Sequence, residues 1–310
     1  MQRKKPIETT DRHRLTQKCH SEPFALVIPN KVRNLGFEIL RSAQNDSKVA
    51  IRESLWLKIH CFVLLFLILG SAGFAHAFEW TDNEVHLLYG TGFREPSAAK
   101  DLSREILTFQ HINGYKYGRN YLFIDTIFTQ AGDPDSTKLY GEGYTYLSIS
   151  KLTGLKIPDG VIKDFNLAAG VNTGSESGGS KPLVYLYGIS IDLSLPKFAF
   201  FSIDILANDA REPESGKGVS WQITPVWAMP FKIGDTKFIF EGFFDFITSK
   251  EERTKQTILA QPQIRWDAGH HFDLKDNKLF VGIEYQYWEN KYGIEWLDES
   301  FPQVMLVWKI

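Results

Sequence analysis

Carboxylate, amide and aromatic side chains recur at every second position in several β-like segments of the chain. Because successive side chains of a strand point to opposite faces, each such set shares one face. Such a face could bind a small polar solute through hydrogen bonds and ring stacking. Alternatively, each of these charges pairs across strands and fills a tight interior. The candidate solute-contact residues are Phe123, Asp125, Glu142, Tyr144, Tyr146, Glu241, Phe243, Asp245, Gln261, Gln263, Arg265, Glu284, Gln286 and Trp288.

Covalent catalysis and metal binding find less support in the residue types. A metal site needs three or four convergent ligands, so the pair His270-His271 is more typical of a solvated turn. A lipid hydrolase on a barrel wall would need a histidine such as His111 beside a serine, and the spacing assigns no serine to it. The segment 174–180 lacks the Gly-Lys-Ser/Thr ending of a phosphate-binding loop. We therefore expect no catalytic residue, no metal and no cofactor.

Twelve candidate β-strands, separated by clusters of Gly, Pro, Asn, Asp and Ser, would position these residues. Along 302–310, Val304, Leu306 and Trp308 share an apolar face opposite Gln303 and Lys309. A soluble sandwich buries such a face, whereas a membrane barrel turns it outward and keeps a polar interior. The pattern predicts an all-β fold, a transmembrane antiparallel up-and-down β-barrel of about twelve strands. The predicted strands are 82–90, 102–112, 119–129, 140–150, 162–172, 183–194, 197–206, 219–229, 236–247, 257–267, 278–288 and 302–310.

The connections between these strands alternate roughly between long and short. Connections after odd-numbered strands are polar and long, as at 91–97 and 132–136. Connections after even-numbered strands include the tight Leu195-Pro196 and 233–235, with 151–160 as a longer exception. Outer-membrane barrels have short periplasmic turns and longer extracellular loops, so the alternation favours that class over a soluble sandwich or lipocalin-like barrel.

The chain divides by charge near residue 77. Residues 1–77 contain 12 Lys and Arg against 6 Asp and Glu, and residues 78–310 contain 23 against 31. Residues 56–77 have the basic start, apolar run and Ala75-His76-Ala77 ending of a cleavable signal peptide. We expect 78–310 to be the barrel, and 1–55 to be an unstructured or spurious extension.

The body after residue 77 excludes several classes of protein. Its acidic balance argues against nucleic acid as a partner, because nucleic-acid binders have a basic surface. Both cysteines, Cys19 and Cys61, precede residue 78, so the body has no disulfide framework and no thiolate metal site.

Three segments of the body share the pattern of a known protein family: Glu105–Gln110, Asn120–Asp125 and Tyr144–Gly154. They resemble the Tsx-like family of nucleoside-specific channel-forming outer-membrane proteins. The stretches Glu105–Gln110 and Asn120–Asp125 resemble an early strand pair of the family, the second ending in an aromatic-rich run and an Asp. Tyr144–Gly154 resembles a family strand that ends in a Ser-x-x-Lys-Leu-Thr type turn. The resemblance extends over about 80–310 in layout and is residue-specific over about 103–172. It implies twelve strands and nucleoside uptake, and no contact residue of the family can be matched individually.

These observations predict an outer-membrane channel of a Gram-negative cell for passive uptake of nucleosides or similar small solutes. The expected partners are a nucleoside-like solute, the lipid bilayer, lipopolysaccharide and the barrel-assembly machinery, with the barrel itself a monomer. Two alternatives remain open. One is a narrow or closed structural barrel that serves as an adhesin or phage receptor without transport, since side chains can fill a small lumen. The other is a barrel lipid hydrolase.

Overall fold

The computed structural model describes residues 78–130, 136–175, 181–211, 218–250, 254–272 and 274–310. The predicted extension 1–55 and signal peptide 56–77 lie outside the described residues. One five-residue helix, α1, covers Ile149–Thr153, and 3-10 turns cover Gly269–Phe272 and Lys291–Gly293. The strands are β1 Trp80–Phe93, β2 Leu102–Tyr115, β3 Gly118–Thr129, β4 Thr137–Ser148, β5 Ile162–Ser175, β6 Leu183–Leu193, β7 Phe200–Ala210, β8 Gly218–Ile233, β9 Thr236–Ile247, β10 Thr257–Ala260, β11 Gln263–Asp267, β12 Leu279–Glu289 and β13 Glu299–Lys309.

The strands form one closed antiparallel sheet. From β1 to β9, each strand pairs with its neighbours in the chain, and β1 pairs with β13, so that Val85 lies opposite Trp308. The short strands β10 and β11 lie end to end, both between β9 and β12. They therefore form one interrupted stave, and the sheet is a barrel of twelve staves. The predicted fold class is confirmed.

The interruption between β10 and β11 follows from Pro262. Proline has no N–H to donate to a neighbouring strand and usually lies at edges or bulges of a sheet. Opposite the break, Gly242 has a φ of +144°, and a Cβ there would lie 2.4 Å from the carbonyl oxygen of Gln261. Two backbone hydrogen bonds link the break to its neighbouring strands, from the Gln261 N–H to the Phe243 carbonyl at 3.2 Å and from the Tyr285 N–H to the Pro262 carbonyl at 2.9 Å. The predicted strand 257–267 therefore lies where expected, but it consists of two short strands and not of one continuous strand.

The apolar face of the sheet points away from the barrel interior. On β13, Val304 and Trp308 are 61% and 45% exposed, whereas the intervening Met305 and Val307 are 3% and 0% exposed. The same alternation holds on β12, where Val281, Ile283 and Tyr285 are exposed and Glu284 is buried. An apolar exterior around a polar interior is the arrangement of a transmembrane barrel.

Exposed aromatic side chains lie near both ends of the staves. At the end that carries the β1–β2 connection, which we call the loop end, they include Tyr187, Trp221 and Tyr287. At the opposite end, which we call the turn end, they include Phe165 and Trp308. Membrane barrels have such aromatic girdles at the two interfaces of the bilayer. Among the described residues, no helix is both long and apolar enough to cross a membrane.

Two predicted boundaries at the turn end are wrong. The predicted strand 140–150 ends at Ser148, because the Ser148 side chain accepts a hydrogen bond from the Lys151 N–H and caps α1. Gly154, with a φ of +72°, ends that helix. The predicted tight turn Leu195-Pro196 is wider, since β6 ends at Leu193 and β7 begins at Phe200.

The alternation of connection lengths is confirmed in part. Two-residue turns join β2 to β3 at 116–117 and β8 to β9 at 234–235, both at the turn end. The connection 149–161 is long, as the sequence indicated. The connection 268–278 is also long, against the predicted parity, because Asp267 accepts hydrogen bonds from the N–H groups of Gly269 and Asn277 and closes a loop. Its first part is the 3-10 turn that contains His270-His271.

Candidate functional site

Side chains inside the barrel are identified by contacts between strands that are not neighbours in the sheet. Arg119 on β3 reaches Asp192 on β6 with two hydrogen bonds, of 2.7 and 2.9 Å. The Tyr146 hydroxyl on β4 donates to an Asp204 oxygen on β7 at 2.8 Å. Such contacts are possible only across the interior of a closed sheet. They establish that Tyr146, a predicted site residue, points inward.

An aromatic track lies on the inner wall formed by β3 and β4. It consists of Tyr121, Phe123, Tyr140, Tyr144 and Tyr146. Adjacent rings of the track have centroids 6.0 to 6.5 Å apart, and the Tyr144 and Tyr146 rings are stacked with an interplanar angle of 17°. The pairing register of β3 with β4 explains the track, because it places Tyr121 opposite Tyr144 and Phe123 opposite Glu142. Rings in this arrangement offer a flat solute successive surfaces for stacking.

Two carboxylates lie along the aromatic track. Glu142 accepts hydrogen bonds from the hydroxyls of Tyr140 at 2.5 Å and Tyr144 at 2.8 Å. Asp125 accepts one from the Thr108 hydroxyl at 2.6 Å. These hydrogen bonds fix the orientation of the carboxylates beside the rings.

Two further carboxylates lie on the facing part of the wall. Asp245 on β9 accepts hydrogen bonds from the side chains of Thr224 and Gln222. Glu284 on β12 accepts hydrogen bonds from Gln263 at 2.5 Å and Gln303 at 2.8 Å. We call Asp125, Glu142, Asp245 and Glu284 the carboxylate belt.

The belt consists of acids that accept hydrogen bonds from hydroxyl and amide side chains. In the part of the chain that is described, no Lys, Arg or His nitrogen lies within 4.0 Å of a belt carboxylate. Where its carboxylates are ionised, the belt is a region of negative potential inside the barrel.

The remaining predicted residues lie on the β9 to β12 side of the interior. Arg265 binds Glu84 at 2.8 Å and Glu241 at 2.5 Å, and it donates to Gln263 at 2.8 Å. Its charge is therefore engaged with wall carboxylates.

Two amides and two rings complete the predicted set. Gln261 donates to Gln286 at 2.7 Å. Phe243 also faces inward by register. It lies opposite Val226, and Val226 is on the same face of β8 as the inward-facing Thr224, two residues before it. The Trp288 ring lies 5.2 Å from that of Tyr292, near the loop end. All fourteen predicted residues thus face the interior by contact or register, and their contact with solute stays a prediction.

Sequence reasoning missed several inward residues of the same strands. Tyr121 and Arg119 precede Phe123 by two and four positions, and Tyr140 precedes Glu142 by two. Strand parity alone would have added them. The partners Asp192 and Asp204 had no such signal, because their contacts depend on how the sheet closes.

The histidine considered for catalysis contacts amides. The His111 ring lies 2.6 Å from the Asn83 amide oxygen at one nitrogen and 2.8 Å from the Asn113 amide nitrogen at the other. A hydrolase would require a nucleophile hydroxyl at one of these positions.

Comparison with known proteins gives similarity of structure alone. No protein-family model matches the chain, and no curated protein matches it. The NanC porin structure is 13% identical with a TM-score of 0.44, over 73% of this chain and all of that one. The KdgM porin in complex with disordered oligogalacturonate is 9% identical with a TM-score of 0.37, over 74% and 99% of the two chains. The translocator domain of autotransporter NalP from Neisseria meningitidis is 9% identical with a TM-score of 0.38, over 81% and 96%.

These values are too low to identify a family, so the resemblance to Tsx-like proteins stays a prediction. The chain's own strand pairing establishes what it is: a closed antiparallel barrel of twelve staves with an apolar exterior.

Proposed function

We propose that this chain is an outer-membrane channel of a Gram-negative cell for the passive entry of small polar solutes that contain a flat ring. Nucleosides are the expected cargo, in line with the resemblance to Tsx-like proteins. The loop end would face outward, as longer loops do in outer-membrane barrels. We further propose that the barrel has no catalytic activity.

The observation that carries this proposal is the aromatic track beside Asp125 and Glu142. A nucleoside has a flat base, which can stack on successive rings, and a ribose, whose hydroxyls can donate to carboxylates. A site of weak, repeated contacts allows a solute to enter and to leave, as conduction requires.

The experiment is current block in a planar bilayer. The purified protein should conduct ions, and adenosine or thymidine should reduce the current in a concentration-dependent way. Glucose, which has no aromatic ring, should block far more weakly. A current that responds equally to adenosine and glucose would contradict the nucleoside assignment and leave the channel intact.

Removal of one ring from the track should weaken the block. Tyr144→Ala should raise the adenosine concentration for half-block by about 5- to 150-fold, since base–aromatic stacking contributes about 1–3 kcal/mol per base. Tyr144→Phe keeps the ring and should stay close to the wild type. Tyr187→Ala, on the exposed outer face, is the matched control. An equal loss in the Phe and Ala variants would assign the effect to the hydroxyl and would contradict stacking.

A closed barrel is the second candidate, and the pairs that cross the interior favour it. The buried pair Arg265–Glu84 and the half-buried pair Arg119–Asp192 occupy space in the lumen. A receptor or adhesin barrel would show no conductance in the bilayer, together with binding of phage or cells that depends on the loop-end connections.

A further inference from the structure

A chain of ion pairs crosses the barrel at its loop end, and we propose that it is the constriction that limits the size of solutes able to pass. The chain runs from Glu299 on β13 to Lys291, then to Glu95, and ends at Lys138 on β4. The nitrogen–oxygen distances along it are 2.7, 3.5 and 3.3 Å. We call these four residues the mouth bar. The inference rests on the proposed channel function and adds the residues that determine its size selectivity.

The mouth bar joins staves that lie well apart around the opening. Going around the ring from β13 through β1, β2 and β3 to β4 takes four steps in a barrel of twelve staves. The side chains of the bar therefore connect points about one third of the circumference apart. Arg104 on β2 joins the bar in the middle, because its guanidinium donates to Glu95 at 2.6 Å. A solute entering from the loop end must therefore pass beside the bar.

Glu95 points inward because of a bulge in β1. The β1–β2 register shifts between Thr91 and Phe93, and Gly92 has a φ of +121°. A bulge reverses which side chains face the interior beyond it. Before it, His86 and Leu88 face inward, and after it Phe93 and Glu95 do, with Glu95 only 7% exposed. A Cβ at Gly92 would lie 2.8 Å from the Phe301 ring, so the position favours glycine.

Lys291 points inward because of the turn that follows β12. Asn290 and Tyr292 both have left-handed backbone, with φ of 49° and 60°, and they turn the intervening Lys291 into the barrel. Its side chain is 1% exposed. The ammonium donates to the Arg94 carbonyl at 2.8 Å and lies about 5 Å from the ring centroid of Trp288. These contacts hold the lysine in one position.

The mouth bar is also anchored from outside the barrel interior. The Lys255 N–H, in the β9–β10 connection, donates to the Gly293 carbonyl at 2.9 Å. The Arg94 N–H donates to Glu299 at 2.7 Å. Three loop-end connections thus meet at the bar, which indicates a fixed constriction.

The test removes one acid and one base of the mouth bar together, so that the net charge of the bar is unchanged. In the double variant Glu95→Ala, Lys291→Ala we expect single-channel conductance to rise by about twofold or more, since the bar residues occupy the path. We also expect larger neutral polyethylene glycols to enter the pore. The control is Lys255→Ala, Glu295→Ala, a pair at 3.2 Å in the same connections that is 54% and 73% exposed. The control should conduct like the wild type.

Two outcomes would overturn the inference. One is a folded double variant, with wild-type circular dichroism, whose conductance and polymer cut-off are unchanged. The other is an equal rise in the control. Should the double variant fail to fold, Glu95→Gln keeps the size of the side chain and removes the charge, and it should raise conductance to a smaller extent. Polymer exclusion uses no nucleoside, so failure of the cargo assignment and failure of the constriction give different results.

The pH dependence of conductance provides a second test, in which the wild-type protein is compared with Glu95→Gln. Burial raises the pKa of Glu95, but Lys291, Arg104 and Lys138 outweigh it and hold this pKa below its usual range. Because this pKa is lowered, Glu95 stays ionised and its ion pairs persist at every pH above the usual pKa of Glu, about 4.3. The ion pairs are lost only as the pH falls below that value. The groups that face Glu95 from the surrounding elements are Arg104, Lys138, Lys291, Tyr292 and Glu299.

We therefore expect the conductance ratio of Glu95→Gln to wild type to stay constant between about pH 7.5 and 5. The ratio should fall toward one only below about pH 4, where wild-type Glu95 also becomes neutral. A ratio that already falls toward one between about pH 7 and 5 would contradict a bar held by ion pairs of Glu95.

Discussion

Replacement of Arg265 with Met should destabilise the barrel by about 3–5 kcal/mol, because removal of one partner leaves buried charge without compensation. Arg265 is 3% exposed and binds Glu84 and Glu241. Glu84 keeps Lys309, at 3.0 Å. Glu241, by contrast, has no other Lys or Arg within 4.0 Å among the residues that the structure describes. The loss should therefore arise mainly at Glu241.

Reversible urea unfolding in lipid vesicles, followed by tryptophan fluorescence, measures this loss. Arg94→Met is the control, since its pair with Asp101 is 48% and 59% exposed and such surface pairs contribute about 0–1 kcal/mol. Arg265→Met combined with Glu241→Gln should recover much of the stability, because the amide leaves no uncompensated charge at this half-buried position. A loss below about 1 kcal/mol in the single variant would show that water reaches Glu241 and compensates its charge.

Neutralisation of the carboxylate belt should remove cation selectivity from the channel. The belt acids have hydroxyl and amide partners, whereas Arg119 and Arg265 are paired with acids. An unpaired carboxylate about 4 Å from an ion changes its energy by about 1 kcal/mol even in water. At alkaline pH, where the belt carboxylates are ionised, we therefore expect the wild type to prefer potassium over chloride by about fivefold or more, since about 1 kcal/mol corresponds to that factor.

The double variant Glu142→Gln, Asp245→Asn removes two of the four belt charges and should move the reversal potential in a potassium chloride gradient clearly toward zero. Glu295→Gln, an exposed loop-end residue, should leave the potential unchanged. The belt acids have no cationic partner in the described part of the chain, so their amide variants should fold like the wild type. A wild type that prefers chloride would contradict the prediction and would indicate that the arginines control the ion path.

The strand pattern was predictable because a barrel wall obeys a period of two. Along β12, an exterior of Val281, Ile283 and Tyr285 around Glu284 follows directly from alternation in the sequence. The inward direction of Glu142 and Asp245 follows from the same alternation. The local sequence pattern thus predicts which segments form the barrel wall and whether each of their side chains points inward or outward.

Features that depend on bulges and on closure were not predictable. Glu95 faces inward only because Gly92 shifts the register, and no periodicity marks that change. Lys291 is buried by a turn with two left-handed residues, although a lysine in a polar connection is ordinarily solvent-exposed. The pair Arg119–Asp192 joins strands three positions apart, and such contacts depend on the radius and stagger of the closed sheet.

The break between β10 and β11 divides the wall into a stiff and a compliant part. Next to the break, the backbone pairing of β8 with β9 skips Thr224 and Pro225. From β1 to β4, by contrast, almost every residue of each strand has a partner. Amide protons around Gln261 should therefore exchange with solvent sooner than those of β3. Thermal motion would then change the width of the barrel mainly along one diameter. The wall around the β10–β11 break would move, while the aromatic track on β3 and β4 would keep its shape.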